Sequence, residues 1–152
     1  MLNENLKDIR TYFDLTQKEI SEILNVSRST YAGWENSIDN IPLTKLNSFS
    51  NYFDISIDYL CGLTSIKKYN IINKEIDINV VAKNLKRIRL QHNDTQDKIA
   101  KVINTDRSNY SRYELGKNLI LTSLIIDFAK YYKVSIDWLL GKTKNNMLEN
   151  KK

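Results

Sequence analysis

Residues 25–31 read Asn-Val-Ser-Arg-Ser-Thr-Tyr, and residues 104–110 read Asn-Thr-Asp-Arg-Ser-Asn-Tyr, at a separation of 79 positions. The same displacement aligns residues 6–64 with residues 85–143 without a gap and gives 21 identities in 59 pairs. Because the identities fall in blocks at fixed spacing, the chain is an internal repeat of one unit of about 60 residues. A unit of this size is near the lower limit for a domain that folds alone.

Two short helices are predicted around the quoted stretch of the first repeat. Thr16 is followed three residues later by Glu19, which is the capping-box pattern of a helix start. Asn25 tolerates the left-handed backbone conformation by which a chain leaves a helix sharply. Ser27 can cap the next helix, which begins at Arg28. Two helices of about eight residues joined by a short turn form a helix-turn-helix unit.

Apolar residues at helical spacing predict three further helices in each repeat. We therefore predict an all-α protein made of two tandem five-helix domains. The predicted helices cover residues 2–13, 16–24, 28–36, 42–53 and 57–61 in repeat 1, and 80–90, 95–103, 107–115, 122–132 and 136–140 in repeat 2. The predicted organisation is domain 1 at 1–64, a linker at 65–79, domain 2 at 80–143 and a polar tail at 144–152.

Composition excludes several classes of protein. Cys61 is the single cysteine and His92 the single histidine, so an internal disulfide, a zinc site and a Ser-His-Asp triad are not expected. The sequence has no phosphate-binding glycine loop and no nucleophile motif, so we expect no enzyme activity, no cofactor and no metal. The longest apolar runs fall far short of the ~18 residues of a membrane span, and no secretory signal is visible. We therefore expect a cytoplasmic protein.

The helix-turn-helix residues of both repeats resemble one known family. Repeat 1 resembles the Cro and phage-repressor type (XRE-like) of helix-turn-helix through Thr16, Gln17, Ile20, Ser21, residues 25–31, Trp34 and Glu35. Repeat 2 does so through the equivalent residues, and its ending at 134–141 is similar to the family's fourth and fifth helices. The resemblance covers most of the chain. It implies two lambda-repressor-like domains that bind double-stranded DNA.

The resemblance also implies which residues contact DNA bases. In this family the third helix enters the major groove with its N-terminal residues on base edges. The matching residues are Arg107, Ser108 and Arg112 in repeat 2 and Arg28 and Ser29 in repeat 1. An arginine can bond to guanine through two hydrogen bonds. For the first arginine of each third helix, a phosphate contact or plain solvation stays an alternative.

A second group of residues is expected on the DNA backbone. The family's glutamine at the start of the second helix contacts the sugar-phosphate backbone, and the N-terminus of a helix favours an anion. This group comprises Gln17, Gln96, Lys117, Asn109 and Thr30. For the two glutamines, exposure to water alone is the alternative.

Two ion pairs are expected to be structural. In the family an arginine of the first helix pairs with the glutamate that ends the third helix, and here the pairs are Arg10 with Glu35 and Arg89 with Glu114. Tyr31 and Tyr110 are expected in the core, with their hydroxyl groups near the surface. Neither the ion pairs nor the tyrosines are predicted to contact bases.

The two repeats differ in charge. Residues 1–64 hold 5 Lys or Arg and 9 Asp or Glu, whereas residues 80–143 hold 12 and 6. Because neutralised phosphates supply most of the non-specific affinity for DNA, the basic repeat is favoured as the DNA-binding unit. Repeat 2 also has Arg112 where repeat 1 has Gly33. We predict that repeat 2 is the principal DNA-binding domain, while repeat 1 either binds a second half-site weakly or is an interaction surface.

The sequence therefore predicts a DNA-binding transcriptional regulator, with repression favoured over activation because repression needs only occupancy of a site. A protein-interaction module such as an antitoxin, antirepressor or bridging factor is the alternative. Membrane and small-molecule partners are not expected, and homodimerisation stays open. A linker of about 15 residues can span up to ~50 Å, so it permits either an inverted or a direct arrangement of the two domains on DNA.

Overall fold

The computed structural model describes residues 1–148. This part of the chain folds into ten α-helices, five in each repeat, which confirms the predicted all-α class. Its extended structure is limited to an isolated bridge between Val134 and Met147. The helices are α1 (Leu2–Tyr12), α2 (Gln17–Ile23), α3 (Arg28–Glu35), α4 (Leu43–Phe53), α5 (Ile57–Leu60), α6 (Ile78–Gln91), α7 (Gln96–Val102), α8 (Arg107–Glu114), α9 (Thr122–Tyr132) and α10 (Ile136–Leu139).

Side-chain caps fix where the second and third helices of each repeat begin. Thr16 Oγ1 accepts a hydrogen bond from Glu19 N at 3.1 Å, and Glu19 Oε2 accepts one from Thr16 N at 2.8 Å, so the predicted capping box is present. Ser27 caps α3 and Asp106 caps α8. Each cap satisfies a backbone N–H that has no partner within its own helix.

Several helix boundaries differ from the predicted ones by a residue or two. Asp77 Oδ1 accepts a hydrogen bond from Asn79 N at 2.9 Å, so α6 begins at Ile78, two residues earlier than predicted. Helix α1 ends at Tyr12. Phe13, which the predicted first helix included, therefore lies beyond the helix and is 46% exposed.

The helices of the two repeats pack around one continuous set of buried apolar residues, to which both repeats contribute. The largest fully buried apolar side chains are equivalent in the two repeats: Leu6, Ile20, Tyr31 and Phe49 in the first, and Leu85, Ile99, Tyr110 and Phe128 in the second. Helix α2 packs on α3, and α7 packs on α8. Ser21 and Ala100, which are small residues at equivalent positions of α2 and α7, are both buried.

The two repeats exchange buried carboxylates across their interface. Asp137 accepts hydrogen bonds from the backbone N–H groups of Ile57 (3.1 Å) and Asp58 (2.8 Å) at the start of α5. Asp58 accepts one from Ile136 N (2.6 Å) at the start of α10 and one from Ser135 Oγ (2.5 Å). Both aspartates are fully buried. Each repeat thus caps a helix of the other.

The contacts between the starts of α5 and α10 are reciprocal. Positions 57 and 58 are equivalent to 136 and 137, and the contact between 57 and 137 is matched by the contact between 58 and 136. The loops before α4 and α9, residues 40–44 and 119–123, line one surface groove together. Residues that exchange partners in this way form an isologous interface, in which a two-fold axis relates the two sides.

The segment between α5 and α6 is hydrogen-bonded to both repeats. Ile72 N donates to Lys142 O at 2.8 Å, and Ser56 N donates to Lys67 O at 2.6 Å. The side-chain amides of Asn47 and Asn51 both donate to the carbonyl oxygen of Lys74 at 3.0 Å. Hydrogen bonds therefore hold this segment against the two repeats at residues 67, 72 and 74.

Lys142 from the end of repeat 2 is buried in repeat 1. Its side chain donates to Asn47 Oδ1 (2.6 Å), Asn51 Oδ1 (3.1 Å) and Ser50 Oγ (3.2 Å) on α4. Burial lowers the pKa of this ammonium group, and three neutral acceptors replace its hydration shell. The equivalent residue of repeat 1 is Leu63, so this contact has no reciprocal counterpart.

The exchanged aspartates make stability dependent on pH. Burial, followed by the neighbouring Asp137 carboxylate, raises the pKa of Asp58 to about 8. In the unfolded chain an aspartate has a pKa of about 3.9. Between these values the folded protein holds a proton that the unfolded chain has released. The free energy of unfolding is therefore highest at the acid end of this window and falls as the pH rises through it.

We predict that Asp58→Asn removes most of this decline, because the amide does not ionise. Denaturant unfolding at pH 5 and at pH 8 measures the decline in each protein. The control is Asp127→Asn, since it makes the same substitution at an exposed aspartate of α9. An undiminished decline in Asp58→Asn would show that the buried pair does not bind the proton.

Candidate nucleic-acid interface

One glutamate joins the first three helices of repeat 1. Arg10 Nε donates to Glu35 Oε1 at 2.6 Å, and Arg10 Nη2 donates to Glu35 Oε2 at 3.1 Å. Gln17, the first residue of α2, donates to Glu35 Oε2 at 2.9 Å. Arg10 Nη1 also donates to Leu15 O at 2.7 Å, in the turn between α1 and α2. The C-terminal end of α3 is thereby held in a fixed position.

Repeat 2 contains the same network. Arg89 donates to both carboxylate oxygens of Glu114, at 2.7 and 2.8 Å, and to Asp94 O at 2.9 Å. Gln96 Nε2 donates to Glu114 Oε1 at 3.2 Å. Both expected ion pairs are therefore present. Both glutamines are half-buried, and the side-chain amide of each donates a hydrogen bond to the glutamate. The backbone N–H group of each glutamine lies at the start of its helix.

The hydrogen bonds to these glutamates outweigh the cost of burying them. Burial opposes ionisation of Glu35, but hydrogen bonds from Arg10, Gln17 and Tyr31 lower the pKa of its carboxyl group. Burial likewise opposes ionisation of Glu114, but hydrogen bonds from Arg89 and Gln96 lower the pKa of its carboxyl group. Tyr31 is fully buried and its hydroxyl donates to Glu35 Oε1 at 2.7 Å, so the expected position of this hydroxyl near the surface is wrong.

The exposed side of α8 forms a shallow basic concavity. Arg107, Ser108, Ser111, Arg112 and Lys117 line it together, with three cationic side chains and no acidic one. Four of these five residues were singled out from the sequence, and the structure brings them onto one surface. A second concavity continues from Arg107 to the start of α7, where Arg89, Thr95, Gln96 and Asp97 complete its lining.

The equivalent surface of repeat 1 carries less positive charge. Arg28 and Ser29 are exposed at the start of α3. Gly33 is buried beside Asp39, and a Cβ atom at position 33 would lie 3.4 Å from the Asp39 carboxylate. Ile38, which replaces Lys117, is 76% exposed. An acidic group and an apolar group therefore occupy the place where repeat 2 has two cations.

Two of the residues expected on phosphates are engaged with helix caps. Thr30 Oγ1 accepts a hydrogen bond from Ser27 Oγ at 2.8 Å, and Asn109 Nδ2 donates to Asp106 Oδ2 at 3.2 Å. Both residues are exposed, so these bonds can exchange for others at little cost. A phosphate contact by either residue stays a prediction.

The Helix-turn-helix family model HTH_3 matches residues 6–60 and, a second time, residues 85–139. The chain belongs to this helix-turn-helix family. The two matches contain α1 to α5 and α6 to α10 almost completely, so each five-helix repeat corresponds to one match of the family model.

Curated relatives of this helix-turn-helix chain are regulators and an antitoxin. It is 33% identical over 64 residues (42% of this chain and 57% of the relative) to the uncharacterised HTH-type transcriptional regulator YobD of Bacillus subtilis. It is 36% identical over 93 residues (53% of this chain and 46% of the relative) to the HTH-type transcriptional activator BcrR of Enterococcus faecalis. It is 32% identical over 65 residues (43% of this chain and 41% of the relative) to antitoxin PezA of Streptococcus pneumoniae. The chain spans about half the length of these relatives. No solved structure matches it.

Two other features are absent from residues 1–148 of this helix-turn-helix chain. Within this range no group of three or more His, Cys, Asp or Glu side chains could hold a metal ion. None of the helices in the same range is long and apolar enough to span a membrane.

Two features of the surface were not predicted from the sequence. Ser111 lies in the basic concavity one turn after Ser108, and this helical spacing could have indicated it. Asp39 lies in the loop after α3, where no periodic pattern relates it to Gly33. Only the folded loop, in which Ile38 N donates to Gly33 O at 2.9 Å, brings the carboxylate over the helix.

We predict that Arg89→Met lowers the free energy of unfolding by about 3 kcal/mol, because it leaves the Glu114 carboxylate buried without its partner. The Arg89 and Glu114 side chains are 9% and 3% exposed. Lys101→Met is the control, since the side chains of Lys101 and Asp97 are 79% and 61% exposed. It should cost less than about 1 kcal/mol. Equal losses in urea denaturation would contradict a structural role for the buried pair.

Proposed function

We propose that this protein is a sequence-specific regulator of transcription that binds double-stranded DNA mainly through α8 of repeat 2. The single observation that supports this most is the basic concavity along the exposed side of α8. It combines three cations, two hydroxyl groups and no carboxylate on one helix and the loop that follows it. Such a surface suits a major groove whose walls are phosphates and whose floor carries hydrogen-bonding base edges.

Arg107, Ser108 and Arg112 are the proposed base contacts. Arg107 and Ser108 occupy the first turn of α8, the part of a third helix that contacts bases in this kind of domain. Arg112 lies one turn further and is exposed on the same concavity. A guanidinium group can donate two hydrogen bonds to guanine O6 and N7, which favours guanine by ~1–3 kcal/mol over another base.

Lys117 and the start of α7 are the proposed phosphate contacts. Lys117 is exposed beside Arg112 and carries a mobile positive charge suited to a phosphate. The backbone N–H groups at the start of α7 can bind an anion. Gln96 fixes the position of this helix start through Glu114. The phosphate contacts would orient α8, while the base contacts would select the sequence.

Repeat 1 is proposed as the weaker DNA-binding domain. Arg28 and Ser29 are available for base contacts, and Gln17 and Thr30 for the backbone. Asp39 opposes binding, because its carboxylate lies close to the place where α3 would meet the phosphates. A repressor is favoured because occupancy of a site is sufficient for repression. Cytoplasmic location and the absence of catalysis and of a small-molecule ligand stay predictions.

We predict that Arg107→Ala and Arg112→Ala each weaken binding to a selected duplex by ~1–3 kcal/mol and relax the preference at one base position. Arg28→Ala is the matched substitution in repeat 1 and should have the smaller effect. Selection of duplexes from a random library at ~100 mM salt, followed by titration of the selected duplex, measures both quantities. A larger loss from Arg28→Ala would reverse the proposed order of the repeats.

We predict that Lys117→Ala weakens binding to all sequences alike and lowers the slope of log affinity against log salt by about 1. A phosphate contact releases counterions and carries no sequence preference, which accounts for both effects. The matched control is Lys144→Ala, because Lys144 is exposed and lies outside both helix-turn-helix domains. An unchanged salt slope in Lys117→Ala would exclude the proposed contact.

We predict that Gly33→Arg combined with Asp39→Asn strengthens DNA binding by repeat 1. The double variant removes the carboxylate and supplies the guanidinium group that repeat 2 has at position 112. The expected gain is ~1–3 kcal/mol on a duplex whose second half-site contains guanine at the facing position. Asp39→Asn alone separates the effect of charge from that of the new side chain. No gain from the double variant would indicate that α3 does not enter a groove.

A protein-interaction function is the second candidate, and one feature of repeat 1 favours it. Tyr12, Phe13 and Tyr52 are exposed, and their rings form a row with Phe53 at centroid distances of 4.9 to 5.1 Å. Repeat 2 has Gln91 and His92 at the first two positions. A stable complex with a protein partner, lost in Tyr12→Ser and accompanied by no salt-dependent DNA binding, would favour this function over the first.

A further inference from the structure

We propose that a single chain binds an operator composed of two unlike half-sites in inverted orientation, one under each repeat. The inference rests on the proposed function. The sequence left open whether the repeats are arranged in inverted or direct orientation and whether two chains are needed. The contacts between the repeats decide between these alternatives.

The orientation follows from the exchanged aspartates. In a direct arrangement one face of repeat 1 would meet a different face of repeat 2. Here the start of α5 meets the start of α10, and each aspartate accepts hydrogen bonds from the other helix. The loops before α4 and α9 also face each other, and Thr122 Oγ1 donates to Ile41 O at 2.6 Å between them. A two-fold relation between the domains implies a two-fold relation between α3 and α8, so half-sites that both helices contact on one duplex would be inverted.

The spacing between the half-sites is fixed by the same interface. A flexible tether would allow the domains to adapt to many spacings. In this chain the repeats share two fully buried carboxylates and a buried lysine, Lys142, which is 1% exposed. The connecting segment is hydrogen-bonded to Asn47, Asn51, Ser56 and Lys142. The two domains therefore approach DNA as one rigid unit.

The number of chains follows from the surface that the interface occupies. The starts of α5 and α10 are already joined within the chain, so they are not available to a second copy. The one-sided contact of Lys142 distinguishes the two repeats further, because Leu63 cannot donate to the residues that would face it. One chain therefore supplies both third helices.

The two half-sites should share some positions and differ at others. Arg28 and Ser29 match Arg107 and Ser108, so the base pairs facing the first turn of each third helix should be alike. Gly33 has no side chain to contact the base that Arg112 contacts. The half-site under repeat 1 should therefore be defined at fewer positions. The operator is an imperfect inverted repeat.

The test is selection of duplexes from a random library by the full-length chain at ~100 mM salt, with the mass of the resulting complex measured in solution. We expect an imperfect inverted repeat bound by one chain of 17.8 kDa. Arg28→Ala should relax the base preference only in the less defined half-site, and Arg107→Ala should relax it only in the other half-site. Thermal unfolding of both variants confirms that each remains folded. Insertion of about 5 base pairs places the half-sites on opposite sides of the duplex and should weaken binding at least about tenfold.

Four outcomes would overturn this inference and leave the proposed function in place. These are a direct repeat, two chains on one duplex, affinity that is unchanged by the insertion, and a single half-site that is insensitive to Arg28→Ala. A library from which no sequence is enriched would overturn the proposed function itself, so the two failures can be told apart.

Discussion

The exchange of buried carboxylates between α5 and α10 determines how the rest of the molecule is arranged. Each of these helices has four residues, too few to be stable alone. The start of α5 is completed by Ser56, which accepts from Tyr59 N, and by Asp137 from the other repeat. Burial, followed by the neighbouring Asp137 carboxylate, raises the pKa of Asp58, and a proton held by Asp58 removes the repulsion between the two groups. Removing one repeat would therefore expose the helix starts of the other as well as an apolar surface. The pair of domains is the stable unit.

Within that unit, the repeats keep the same internal framework and differ at the surface proposed to face DNA. Both domains contain an arginine, a glutamine and a glutamate that join the first three helices through hydrogen bonds of 2.6 to 3.2 Å. The framework fixes the third helix without determining what its exposed side carries. In repeat 2 that side is basic, whereas in repeat 1 Asp39 and Gly33 take its place. Binding strength can therefore differ between domains of equal stability, because separate residues control the two properties.

The sequence predicted the features whose physical causes are local. Helix starts depend on caps a few residues away, so Thr16 and Ser27 were identifiable, and the charges of the repeats could be counted. The role of Asp58 and Asp137 was not predictable, although both belong to the Ser-Ile-Asp identity at 56–58 and 135–137. Their partners lie 78 to 80 residues away, and no spacing pattern relates residues so distant. The position of Asp39 over Gly33 and the inward hydroxyl of Tyr31 depend likewise on the folded loop and core.

The length of chain between the exchanged aspartates also has a consequence for synthesis on the ribosome. Repeat 1 emerges first, but the groups that cap α5 lie about 79 residues later in the sequence. At about 5–20 residues per second, they follow after roughly 4–16 s. During this interval Asp58 is hydrated and ionised, and the surface that will meet repeat 2 is open. A nascent chain could therefore pair with a neighbouring chain on the same messenger RNA. Rapid completion of repeat 2 shortens this interval, so we expect it to favour pairing within one chain.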